Sequence, residues 1–122
     1  MKSLWILVFF LTISYADVTL VASSKVIFDP VNLSENPKRI PQSIIRHYYY
    51  IRNDNSKVIN NLVLRPKLDV GVFDFSGSVI MVDKKSLLKA SKLDPNSGDM
   101  EIVLQSLPSY AEVTIMIDAT LR

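Results

Sequence analysis

The sequence predicts an all-β fold, an antiparallel β-sandwich of about seven strands. Three observations carry that expectation. Val and Ile outnumber Leu two to one over residues 17–122, and side chains branched at Cβ favour the extended backbone. Apolar residues alternate with period two in several stretches, most clearly at the end of the chain. Clusters of Asn, Asp, Ser, Gly and Pro separate those stretches at short intervals, as turns between strands require.

Residues 18–22 and 25–28 read as two short strands, and Asp29-Pro30 and Asn36-Pro37 punctuate the loop after them. Residues 43–53 read as one long strand. Ile45, His47, Tyr49 and Ile51 share one face, and Ile44, Arg46, Tyr48, Tyr50 and Arg52 the other. The polar run 53–57 ends it. Residues 58–64 resume as a strand that Pro66 stops. Residues 68–75 and 79–82 are further strands, with Ser76-Gly77-Ser78 as the turn between them. Residues 84–93 are open between a short helix, which Lys, Leu and Ala favour, and a strand. Met100, Ile102 and Leu104 alternate with polar neighbours. Val113, Ile115, Ile117, Ala119 and Leu121 fall on one face of the closing strand, opposite Thr114, Met116, Asp118 and Thr120. The spacing reads 100–121 as a β-hairpin with a connection of about seven residues around Leu107-Pro108-Ser109. Seven or so short strands so spaced argue for an immunoglobulin-type sandwich.

The first sixteen residues read as a cleaved signal peptide. Lys2 supplies the positive start, residues 4–13 are apolar, and Ser14 and Ala16 put small residues at the positions that precede a cut. The apolar run is half the roughly 20 residues that a spanning helix needs. Asp17 is then the expected mature N-terminus, and residues 17–122 a single domain with no membrane span. The destination is exported, periplasmic or on the cell surface. The chain has no Cys, which excludes a disulfide framework, and an exported small domain without one points to bacteria over animals.

Composition excludes several function classes. At 48% hydrophobic and 21% charged residues the chain is globular in character. A net charge of +2 is too small to argue for nucleic acid. One His and no Cys exclude the usual zinc, iron–sulfur and thiol-nucleophile sites. His47 has only Arg46 and Tyr48 beside it, with no triad spacing, so it reads as a structural residue. The run 94–99 has oxygen-bearing side chains, as a calcium loop does. Its fifth position is Gly98 and no Glu closes it, so a turn is the better reading. Asn53-Asp54-Asn55 reads as a turn for similar reasons. Lys84, Lys85, Lys89 and Lys92 form a basic cluster bracketed by Asp83 and Asp94, which suits a solvated face. Gly71, Gly77 and Gly98 are too scattered for a phosphate loop. No catalytic group, metal or cofactor is expected.

Two stretches carry a resemblance. One is Tyr49-x-Ile51-x-Asn53 followed by Asn61-Leu62-Val63-Leu64; the other is Leu107-Pro108 followed by 112–119, Glu-Val-Thr-Ile-Met-Ile-Asp-Ala. Together they resemble the conserved-repeat, immunoglobulin-like domains of bacterial surface and envelope proteins, a family of unknown function. The resemblance covers roughly residues 43–121 and departs where the family has Gly, after Asn53 and after Pro108. It implies a structural or adhesive module and not an enzyme.

The expected function is therefore a non-catalytic envelope module with a structural or protein-interaction role. The alternative is a small periplasmic binding protein with a pocket at one end of the sandwich. The candidate partner-binding residues are Arg46, Tyr48, Tyr50 and Arg52. Tyr and Arg combine large contact area with few rotors or a planar donor fork, and suit docking of an envelope protein or glycan. The competing explanation of the row is a cross-strand ladder within the sheet.

Overall fold

Alternation along each strand decides which side is buried. In the closing strand Val113, Ile115 and Ile117 are fully buried, whereas Thr114, Met116 and Asp118 between them are only partly covered. Burying one such side chain contributes about 1.5–3 kcal/mol, so a one-residue slip would be costly at every position. The computed structural model describes residues 2–7, 11–14 and 18–122. Its strands are β1 (Lys2–Leu7), β2 (Leu11–Ser14), β3 (Val18–Phe28), β4 (Ile44–Asn53), β5 (Ile59–Lys67), β6 (Phe73–Asp74), β7 (Ile80–Val82), β8 (Leu88–Leu93), β9 (Met100–Leu107) and β10 (Glu112–Leu121). A single 3₁₀ turn spans Lys85–Leu87.

These strands form two sheets packed as a β-sandwich. One sheet has the order β1-β5-β9-β8; the other has β2-β3-β4-β10-β6, with β7 also on β10. All pairs are antiparallel except β1 with β5. The core lies between the sheets. Leu20, Ile45, Tyr49, Ile51 and Ile115 come from one side, and Leu62, Leu64, Ile102 and Leu104 from the other. Phe73 and Phe75 close it near His47.

Several expected elements are rearranged. Residues 100–121 are not a hairpin, because β9 and β10 belong to different sheets. The link 108–111 is a tight turn, closed by the Ala111 amide donating to the Pro108 carbonyl (3.0 Å), and it carries the chain across the core. Residues 68–75 are not a strand. Asp69 turns the chain instead, its carboxylate accepting from the Gly71 amide (3.0 Å) and its carbonyl from Phe73 (3.0 Å), so only Phe73–Asp74 remains extended. Pro66 does not stop β5. The pairing on the β9 side is interrupted between Leu64 and the Lys67–Asp99 bridge, and a residue without an N–H is tolerated in that gap. The two short N-terminal strands are one, with an irregularity between Val26 and Phe28. Residues 84–93 resolve into the 3₁₀ turn and the edge strand β8.

Two buried polar side chains fix the loops. Asp29, with no exposed surface, accepts from the amides of Val31 (2.7 Å), Asn32 (2.5 Å) and Lys38 (2.5 Å) and from the Asn32 side chain (3.0 Å). Burial alone would raise its pKa; the donors from Asn32, Lys38 and Val31 outweigh that and hold it well below the usual carboxylate range. Asn53, equally buried, donates its amide to the carbonyls of Lys57 (2.8 Å), Leu107 (3.0 Å) and Pro108 (3.1 Å), and accepts from the Asn55 amide (2.8 Å). The two stretches that carry the family resemblance thus meet at Asn53.

At the N-terminus, Lys2 to Leu7 run parallel to Leu62 to Lys67 of β5, and Leu11 to Ser14 pair with Ala22 to Thr19 of β3. The expected cleavage point between Ala16 and Asp17 lies outside the described residues. No helix among the described residues is long and apolar enough to cross a membrane.

Candidate interaction face

β4 lies between β3 and β10 in the middle of its sheet, so its outward side chains have neighbours on both sides. The register sets Arg46 between Lys25 and Asp118, Tyr48 between Ser23 and Met116, Tyr50 between Val21 and Thr114, and Arg52 between Thr19 and Glu112. All four expected residues therefore share the solvent side, opposite the buried Ile45, His47, Tyr49 and Ile51.

The charges on this face are tied to one another. Arg46 binds Asp118 with two bonds, Nε to Oδ1 at 2.8 Å and Nη2 to Oδ2 at 3.0 Å. That fork-to-carboxylate bond, against the opposing effect of partial burial, favours the charged guanidinium still further. Arg52 pairs with Asp54 at 3.3 Å, and the Thr19 hydroxyl donates to the same carboxylate. The Tyr50 hydroxyl donates to Glu112, which raises its pKa above the ordinary phenol value. Between these pairs runs an uncharged strip: Val21, Tyr48, Tyr50, Thr114, Met116 and, opposite Met116 on β7, Met81. From β3 to β7 the strip is roughly 15 Å wide, three strand spacings. Its rings and thioethers are half-buried.

The sequence named the row on β4 but missed its partners. Asp118 is 72 positions from Arg46 and Glu112 is 62 from Tyr50. Alternation in β10 could have placed both on the outward side; only register joins them to β4.

The other singled-out residues have structural surroundings. His47 is 2% exposed, edge-on to Phe73 with ring centres 4.7 Å apart. Its Nε2 has no hydrogen-bond partner among the described residues. Burial, then the Arg39 charge, lower its pKa to about 4 against a raising effect from Asp118. The Tyr49 hydroxyl is likewise buried without a partner, and burial raises its pKa.

The 94–99 run is a closed turn. Asp94 accepts from the amides of Asn96 (2.9 Å) and Ser97 (3.3 Å), and Asp99 accepts from Lys67 Nζ (2.8 Å). Gly98 has φ +79, and a Cβ there would stand 2.3 Å from the Leu68 carbonyl oxygen, so glycine lets this turn dock on the end of β5. Among the described residues no group of three or more His, Cys, Asp or Glu could hold a metal ion. The lysine cluster lies on the 3₁₀ turn and β8, where exposed Lys89 and Lys92 protect a sheet edge against further pairing. A cleft of about 510 Å³ opens beside the 94–99 turn, between β5, β8 and β9. Its Arg65 and Glu101 are bonded to each other at 3.0 Å.

No protein-family model, curated protein or solved structure matches this chain.

Proposed function

We propose that the protein is an exported, non-catalytic module of the bacterial envelope, periplasmic or on the cell surface, and that it docks another envelope protein through the outer face of β3, β4, β10 and β7. The observation that carries this reading is the uncharged Tyr–Met strip framed by internally paired charges. Tyr48 and Tyr50 offer large area with few rotors, and Met81 and Met116 add flexible, adaptable apolar area. Arg46 and Arg52 already hold carboxylate partners, which lowers the cost of covering them. The leader-like residues 1–16 and the resemblance of residues 43–121 to envelope immunoglobulin-like domains support the location.

The test is Tyr48→Ser combined with Tyr50→Ser in the exported protein, followed by crosslinking in its native envelope. The double variant should stay folded, with a melting temperature within a few degrees of wild type, and lose its crosslinked protein. Unfolding would assign the two rings to the core. Unchanged capture would move the docking surface elsewhere, and capture of glycan in place of protein would change the partner class.

A second reading, a small-ligand protein, draws on the cleft beside residues 94–99, at one end of the sandwich as that alternative expects. The Arg65–Glu101 and Lys67–Asp99 pairs consume much of its polar capacity, so the sheet face is the better site.

A further inference from the structure

Among the described residues, the strand β5 has β9 on one side and residues 2–7 on the other. Those six residues run parallel to it, from Lys2 opposite Leu62 to Leu7 opposite Lys67. Under the export reading on which this inference rests, residues 2–7 leave with the leader. The C=O groups of Leu62–Lys67 that face away from β9, and the N–H groups there (Pro66 has none), then have no strand beside them.

Protection on this edge is confined to its far end, Arg65, Pro66 and Lys67; Leu62–Leu64 carry none. The opposite edge of the same sheet, β8, carries exposed Lys89 and Lys92 and an irregularity in its pairing between Leu88 and Ala90. Both are devices that discourage further strand addition. β5 instead presents Leu62, Val63 and Leu64, at 0%, 2% and 1% exposure. Leu62 and Leu64 belong to the inner core cluster, while Val63, on the other side of the strand, lies outside it and is nonetheless buried. Uncovered, the edge is therefore unpaired and, over Leu62–Leu64, apolar.

We propose that the β5 edge, Leu62–Lys67, is a strand-acceptor slot: residues 2–7 fill it in the full-length chain, and after leader removal an extended apolar segment of a partner protein fills it in the same parallel sense. The occupant is defined by what the slot holds in the full-length chain: about six extended residues, mostly apolar, as in Ser3-Leu4-Trp5-Ile6-Leu7. Backbone bonds supply the attachment, and side chains at alternate positions the selectivity.

The experiment uses the exported protein and a synthetic peptide carrying residues 2–7 with a lysine tail for solubility. Mass spectrometry first fixes the N-terminus, and hydrogen exchange then follows the β5 amides. A chain beginning at Asp17 should show fast exchange along the free side of β5. The peptide should slow it by on the order of tenfold or more and raise the melting temperature. The same peptide with Leu4→Pro should do neither. The leader-retaining variant Ala16→Asp should show slow exchange without peptide and take none up. A processed chain that folds only when the peptide is added also supports the slot; one that stays unfolded with it overturns the slot. A processed chain whose β5 amides are already protected, or which closes the edge by pairing with a second copy, overturns the slot and leaves the export reading intact. An N-terminus at Met1 overturns both.

Discussion

Acidification should destabilise this domain through one residue, His47. The ring lies in the core against Phe73 and Phe75, and burial, aided by the Arg39 charge, lowers its pKa from 6.5 to about 4. The folded value is thus below the unfolded one. Between pH 6.5 and 4 the unfolded chain takes up a proton that the folded chain does not. Stability is complete above about pH 6.5 and declines as pH falls toward 4, by up to about 1.4 kcal/mol per pH unit. The whole window is worth about 3 kcal/mol, a large share of the 5–15 kcal/mol that holds an ordinary domain together.

Urea unfolding followed by circular dichroism, at intervals from pH 4 to 8, measures this directly. His47→Phe is the control, because it keeps an aromatic ring against Phe73 and removes the titration. Its stability should be nearly flat between pH 4.5 and 6.5, and at neutral pH within about 1.5 kcal/mol of wild type. Four hydrogen-bonded carboxylates act in a lower pH range. Asp29, Asp74, Asp94 and Asp99 are all held below the ordinary 3.8 by hydrogen bonds or by Lys67. Their contributions are complete above that value and are lost only as pH falls below it. Equal slopes for wild type and His47→Phe between pH 4.5 and 6.5 would refute the reasoning, because His47 would then titrate as a solvated side chain.

Two substitutions test the packing and the corner. Ile115→Ala, at a fully buried position, should cost about 2–5 kcal/mol by urea unfolding, against less than about 0.5 for the outward Thr114→Ala; equal costs would place β10 one residue out of register. Asn53→Ala should cost about 2–3 kcal/mol, because it strips donors from the Leu107 and Pro108 carbonyls within the core, and a loss no greater than that of an exposed Asn would show that water replaces them.

Strand identity and facing were legible because alternation is a local property. The inward sets on β4 and β10 follow from period two alone. Sheet membership was not legible, since Leu104 and Val113 alternate in the same way whether the chain between them makes a hairpin or crosses to the other sheet. The four-residue link 108–111 does the latter because Asn53 receives it from the far corner, through bonds 54 and 55 positions apart in sequence. Residues 68–75 misled for a different reason. Leu68, Val70 and Val72 alternate like a strand, but the Asp69 side chain offers the backbone a competing turn, and Gly71 accepts it. At the candidate face the row on β4 was readable, whereas its carboxylate partners depend on register between distant strands.

The size of that face bears on how it is used. The four rows of β4 from Arg46 to Arg52, paired charges included, span roughly 20 Å at two-residue steps, which with a width of roughly 15 Å gives about 300 Å², and the uncharged strip is only the two middle rows of that. A stable interface buries about 800 Å² on each partner. Under the proposed docking role the uncharged strip would be an anchor and not a whole interface, and a partner seated on it would have to extend over the paired charges at either end, Arg46 with Asp118 and Arg52 with Asp54, and beyond them. The β5 edge lies on the other sheet, across the core. A strand added there would supply the backbone bonds that the flat face lacks, and one added strand and one flat face on opposite sides would let successive modules join without competing for the same surface.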